Sequence, residues 1–410
     1  MHPLSFFAWS GGTVLGLACL AILMGVAIDP YRMYGTPTVP GWTTLKPRVY
    51  QQARIAKTYQ LERVGPNTLL LGDSRVEIGF DPQSSQWPGE AHPVFNAALA
   101  GADLRTSLDM LCDALATRRP ETVILGLDFL DFLQEPDNPT ARPLSVGPNE
   151  RRLLVDRDGK PNPDRPLQIW RDRIATTLTI DAVLDGFATL LDQDQETSKT
   201  MTPLGFDPLN EYRLFAARQG YHDLFAQKNA IYKRQYQRYP APIFVEPSRF
   251  AGFRYLHSII ALAVARDVRL ILFIHPYHAD YLDMLREVGW WASFENWKRA
   301  LVKVTESDIQ GTPMSLRLFD FSGYHQFSTE RVPLPGDRHT AMRWYWEAGH
   351  YKPALGDEML KTMLSGAGRF GFALTLTSVE HVLSEVAKSR SRFVARGHGD
   401  LGLEVPSPVR

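Results

Sequence analysis

Leu69-Leu70-Leu71 stops abruptly at Gly72-Asp73-Ser74. Three leucines bounded by turn residues read as a short buried strand. Glycine reaches backbone shapes closed to other residues, and Asp and Ser bond their own backbone in turns. The same event recurs down the chain. Val94-Phe95-Asn96 runs into a small-residue turn at 97–102 that contains Gly101. Residues 122–127 end at Asp128, and the apolar run 268–274 ends at His275-Pro276-Tyr277-His278. Residues 316–321 supply a last strand, while 104–117 and 250–266 carry helical spacing. Strands alternating with helices predict an α/β fold with a mainly parallel sheet. Open sheets of this kind gather ligands at the carboxyl ends of their strands. Ser74, Gly101, Asp128, His275 and His278 all fall there.

Residues 4–28 contain no charged side chain. About 20 apolar residues cross a bilayer as a helix, so residues 1–30 read as a membrane anchor. A cleavable signal peptide competes with this reading, but it carries a basic lead and a shorter apolar core. Here only His2 precedes the run. Arg32, Lys46, Arg48, Arg54 and Lys57 follow it. By the positive-inside rule that bias favours a cytoplasmic domain, although large domains translocate largely regardless of charge.

Residues 31–65 form a Pro- and Gly-containing linker and a leading helix over 46–64. The main domain covers 66–365. Within it, 134–250 breaks the pattern, with many Pro, Asp and Arg residues and weak helices at 180–191 and 221–238. It reads as a helical insertion that forms a lid or substrate platform. A helix follows at 353–364. Residues 366–410 hold an amphipathic helix near 377–391 and a Pro-containing tail.

Formal charge is zero, with 45 basic and 45 acidic residues, so the basic footprint of a nucleic-acid binder is missing. Of the two cysteines, Cys19 lies in the apolar run and Cys112 stands alone in the rest, which leaves neither an internal disulfide nor a Cys metal cluster. His275, His278, His339 and His350 lack a ligand spacing such as His-Glu-x-x-His, and no phosphate loop or dinucleotide fingerprint occurs. No metal and no cofactor is therefore expected. The chemistry falls on a hydroxyl. A serine is a weak nucleophile until a neighbouring base takes its proton and a third group orients that base. Glu347-Ala348-Gly349-His350 offers such a pair in a turn ahead of a helix. Asp337-x-His339 is the second candidate pair. Asp73 and Arg75 flank the serine, and His275 and His278 either line its pocket or cap their strand.

Gly72-Asp73-Ser74 after one strand, residues 96–101 after the next and a late Glu347-x-x-His350 together resemble the SGNH (GDSL-type) hydrolase superfamily. The run from His350 to Gly356 is similar to the His-Trp/Tyr-x-Pro-x-x-Gly ending of its membrane-linked branch, which acetylates polysaccharides such as alginate. The likeness covers 66–130 and 250–364. It implies a three-layer α/β/α domain with Ser74 as nucleophile, His350 as base and Glu347 as orienter. The amides of Ser74 and Gly101 would serve the oxyanion, with Asn96 in the same block. Two residues depart from the pattern. Glu347 stands where Asp is usual, and Asp128 stands where an Asn donor is usual. A carboxylate there would repel an oxyanion unless protonated or turned away, and losing one such donor costs about a hundredfold in rate.

The resemblance implies an anchored acyltransferase or esterase on the periplasmic side of a bacterial-type inner membrane. It would act on a cell-envelope or exported polysaccharide, with a membrane protein as acyl donor. The alternative is a non-catalytic glycan-binding or assembly protein on a degenerate scaffold of the same kind.

Overall fold

The computed structural model describes residues 3–133, 150–155 and 159–395. The chain enters through α1 (Pro3–Ile28), long and apolar enough to span a membrane. It then reaches α2 (Ala53–Val64). The helix expected from residue 46 begins only at 53, after a single 3-10 turn at Val49–Gln52. Tertiary contacts hold the preceding residues instead: the Lys46 amide donates to Thr200 Oγ1 at 3.1 Å.

Next come β1 (Thr68–Leu71), α3 (Ser74–Gly79), β2 (Val94–Asn96), α4 (Leu104–Thr117) and β3 (Thr122–Leu127). The region read as an insertion contributes α5 (Arg165–Thr177), α6 (Ile180–Leu191), α7 (Glu211–Gln219) and α8 (Tyr221–Tyr236). Its residues 134–149 and 156–158 lie outside the described residues. The pattern resumes with α9 (Ala251–Ala265), β4 (Arg269–Ile274), α10 (Ala279–Glu287), α11 (Trp291–Ile309) and β5 (Leu316–Asp320). The last elements are β6 (Tyr345–Glu347), β7 (His350–Tyr351), α12 (Pro353–Leu360), β8 (Phe372–Ala373) and α13 (Val379–Ala395).

Six strands form one sheet in the order β2-β1-β3-β4-β5-β8. The first five are parallel and β8 is antiparallel. Leu69–Leu71 and Val123–Leu125 are wholly buried, as expected of parallel strands covered on both faces. The chain steps from β1 to β2 in one direction, then crosses back over β1 to β3. This reversal opens a crevice at the carboxyl ends of β1 and β3. Right-handed crossovers put α3 and α4 on opposite faces of the sheet. Accordingly α4, α9 and α11 pack in a row, whereas α3 packs against α12 and β7.

Residues 316–321 were expected to be the last strand. The sheet gains β8 beyond them, two residues long and too short to show a period, and α13 packs on α11. The helix expected over 353–364 changes to a π turn at Lys361–Ser365. The tail beyond 395 lies outside the described residues.

Candidate active site

The turn that carries Ser74 depends on one glycine. Gly72 sits at φ +143°, and a Cβ there would meet Val76 Cγ2 at 2.6 Å. Asp73 caps α3 by accepting the Arg75 amide at 2.8 Å. Ser74 is therefore the first residue of a helix, where no helical carbonyl can take its N–H.

Glu347 and His350 come from a hairpin. β6 and β7 are antiparallel, with Glu347 directly paired to His350 across Ala348 and Gly349. Residues facing each other across a strand pair lie within side-chain reach, which explains the Glu-x-x-His spacing. The His350 Nδ1–H donates to Glu347 Oε1, and Ser74 Oγ lies 2.7 Å from His350 Nε2. Donation from Nδ1 fixes the tautomer and leaves Nε2 bare to accept the serine proton. Glu347 is fully buried, and its second oxygen accepts the Gly349 amide at 2.7 Å. Burial pushes its carboxyl upward, but the His350 ring and the Gly349 amide outweigh this and hold it below the ordinary range.

Two further glycines seat the hairpin on α3. A Cβ on Gly79 would strike the Tyr351 ring at 2.2 Å, and one on Gly356 would strike the Gly79 carbonyl at 1.8 Å. Pro353 opens α12 with its fixed φ. The spacing from His350 to Gly356 thus docks β7, Tyr351 and α12 onto α3 within one short run.

Arg75 ties the two halves together. Its guanidinium, 3% exposed, bonds Asp73, donates to Asp128 Oδ2 at 2.8 Å and to the Gly349 carbonyl at 2.9 Å. Tyr277 Oη donates to Asp128 Oδ1 at 2.8 Å, and the guanidinium lies 5.3 Å from the Tyr277 ring. Asp128 is thereby turned to a buried cation and a phenol.

Ser74, His350 and Glu347 line a pocket of about 170 Å³ with Tyr50, Glu77, Ala100, Lys199, Asp207, Tyr212, Lys228 and Trp346. Lys199, Asp207, Tyr212 and Lys228 all come from the 134–250 region. Glu77 pairs with the buried Lys57 at 3.4 Å. Burial, with Glu77 and Glu211 nearby, pushes the Asp207 carboxyl up to about 7. Tyr232, on α8, packs against Gly349, with its hydroxyl 3.4 Å from His350 Nδ1 and 3.5 Å from Glu347 Oε1. Sequence reasoning missed Lys199, Asp207, Tyr212, Lys228 and Tyr232 because the first two lie in irregular chain and the others on weakly periodic helices, all far from the motifs. A clustering of Tyr and Lys over 199–232 is the only signal that pointed to them.

Other expected site residues lie elsewhere. Asn96 is buried and donates to the Val76 and Phe80 carbonyls at 2.9 Å, closing the end of α3. Gly101 sits exposed at φ +70°, and its neighbour Ala100 lines the pocket that Ser74 borders. His275 is wholly buried behind the site, 3.3 Å from the Tyr351 hydroxyl; burial and the nearby Arg75 charge push its pKa well down, so it stays neutral. His278 caps α10, accepting the Asp280 amide at 3.2 Å and donating to the Glu330 carbonyl at 2.7 Å. Asp337 and His339 form an exposed turn closed by a 2.9 Å bond from the His339 amide to Asp337 Oδ1. The structure does not bring that pair to Ser74. Among the described residues no three His, Cys, Asp or Glu side chains are arranged to hold a metal ion.

No family model, no curated protein and no solved structure matches this chain.

Proposed function

We propose that this chain is a membrane-anchored, SGNH-like serine acyltransferase or esterase that modifies a cell-envelope or exported polysaccharide. The observation that carries this reading is the continuous chain Ser74 Oγ, His350 Nε2, His350 Nδ1, Glu347. Ser74 Oγ attacks the acyl carbonyl while its proton moves to His350 Nε2. The tetrahedral oxyanion collapses as His350 returns that proton to the leaving group, giving acyl-Ser74. His350 then takes the proton of a sugar hydroxyl or of water, which attacks the ester and frees the serine. Glu347 holds the imidazole in its working tautomer and balances the imidazolium.

The free amide of Ser74 is the first oxyanion donor. The ion pair of Asp128 with Arg75 supports the catalytic reading over the binding one, because the carboxylate is directed away from the developing charge. Tyr50, Tyr212 and Trp346 offer apolar faces of the kind a sugar ring covers, with Lys199 and Lys228 beside them. α1 favours a substrate in the envelope, an extracytoplasmic domain and a membrane protein as acyl donor.

The test uses p-nitrophenyl acetate as donor and acidic or neutral oligosaccharides as acceptors. The full chain should release p-nitrophenol and acetylate one acceptor class or water. Full activity in Ser74→Ala would overturn the reading.

A further inference from the structure

A surface helix ordinarily turns its apolar stripe inward. α5 and α6 do the reverse. Leu167, Trp170, Ile174 and Leu178 recur at i, i+3, i+7 and i+11, and Ile180, Leu184, Phe187 and Leu191 at i, i+4, i+7 and i+11. All eight are between 42% and 86% exposed. The inward faces are polar. Asp172 accepts two bonds of 2.7 Å from Arg152 and others from Gln168 and Tyr59. Asp185 accepts the Tyr31 hydroxyl at 2.6 Å. Water around such a pair of helices would face nearly all of their apolar surface.

The two helices meet at an elbow of 56° pressed against the end of α1. A Cβ on Gly25 would meet Thr177 Cγ2 at 2.9 Å, and Gly186 faces Met24 and Ile28. Phe7–Ile28 comprises 22 residues. At about 1.5 Å per residue it measures about 33 Å, against a hydrocarbon core of about 30 Å. To span, α1 must keep its last turns at or just inside the bilayer margin. The elbow packs beside those turns and so lies at the same depth. Exposed Arg173 stacks over Trp170 at 5.4 Å, a pairing suited to the headgroup layer.

We propose that α5–α6 is a second membrane-contact element, whose outward stripe sits among the lipid acyl chains of the leaflet that α1 leaves. The occupant is lipid rather than a protein, because the stripe lies on helices packed against α1, which is itself long and apolar enough to span a membrane and exposes its own apolar residues, and helices satisfy their own backbone in lipid. The domain is then seated on the bilayer at two places, not tethered by one helix. This inference does not depend on the chemistry at Ser74.

The test is spin labelling of the full-length chain in phosphatidylcholine/phosphatidylglycerol liposomes, with Cys19→Ser as background. Single labels replace Ile174→Cys, Leu184→Cys, Phe187→Cys and, as an aqueous control, the exposed Val245→Cys. Every labelled position is exposed, so the fold should tolerate the label. The expected result is an oxygen-to-nickel-chelate collision ratio at the three elbow sites severalfold above that at Val245→Cys. Equal ratios at all four sites would overturn the proposal. So would exclusion of both reagents from the elbow sites, which would indicate a protein partner there.

Discussion

The central sheet carries a pocket at each end of its strands. At the amino ends, Asn67, Thr68, Trp87, Glu90, Glu121, Thr122 and Arg269 surround about 280 Å³. At the carboxyl ends, Ser74, Glu347 and His350 border about 170 Å³. The larger pocket holds donors and charges, but two of its donors serve the chain: Asn67 donates to the His92 carbonyl at 2.5 Å, and Trp87 to the Asp81 carbonyl at 2.8 Å. The smaller one aligns a hydroxyl, an imidazole and a buried carboxylate. Size therefore does not separate them; the convergence of polar groups from separate chain segments does. Only at the reversal of strand order do β1, β3 and the late hairpin bring such groups to one point.

The largest expected effect sets the two pockets apart. Ser74→Ala should lower acyl transfer or ester hydrolysis by about a thousandfold or more, while Arg269→Ala at the amino end should leave the rate near wild type. Comparable losses in the two variants would erase the distinction. Next, Glu347→Gln removes the charge behind His350 and permits the wrong tautomer. Turnover should fall by roughly 10²–10⁴, with KM little changed and the hairpin intact by circular dichroism. An unchanged rate would show that His350 needs no orienter.

The third prediction concerns the junction between the halves of the site. Arg75→Met leaves Asp73 and Asp128 buried without their cation. Breaking a buried pair from one side costs about 3–5 kcal/mol, read as a lowered urea midpoint. Removing one stranded charge with Asp128→Asn in the same chain should recover part of that loss. No recovery would mean that Arg75 acts through packing alone.

The smallest effect separates a carboxyl inside the active pocket from one outside it. Burial pushes both Asp207 and Asp113 up to about 7 from the ordinary 3.8. A carboxyl raised on folding resists ionisation in the folded state, so its contribution to stability falls as pH rises from about 4 to 7 and stays low above. Asp113→Asn should be more stable than wild type at pH 8 by a few kcal/mol at most, since each pKa unit is worth about 1.4 kcal/mol. The two should converge near pH 4. Its pH–rate profile should match wild type, whereas Asp207→Asn should alter the pH–rate profile between 6 and 8. Identical profiles for both variants would place Asp207 outside the working pocket.

The sheet was legible because buried parallel strands are uninterrupted apolar runs, and Leu69–Leu71 and Ile271–Ile274 are plain examples. The expected spans of α4 and α9 also agree with the structure to within a residue. β6, β7 and β8 were illegible, since two or three residues carry no period and, unlike the similarly short β2, they lie beyond the alternating run of strands and helices that ends at β5. Ser74, Glu347 and His350 stand in short motifs, and the structure brings those three together. What the motifs could not show was direction. The direction of the Asp128 carboxylate is set by its partners, Arg75 and Tyr277, which lie 53 and 149 residues away in sequence. The pocket wall from 199 to 232 was hidden for the same reason, because packing and not local pattern places it. α5 had no counterpart among the expected elements: its inward face is polar, with Asp172 buried against Arg152, so no core-facing apolar period marks it.

The central claim is that Ser74 is a nucleophile activated by His350. A fluorophosphonate serine probe tests it most directly, because labelling needs no knowledge of the natural substrate. Folded full-length protein should be labelled once, with the adduct mapped to Ser74 by peptide mass spectrometry, and His350→Ala should lose the label. Well-folded wild type that stays unlabelled, or labelling at Ser74 that persists undiminished in His350→Ala, would contradict the account.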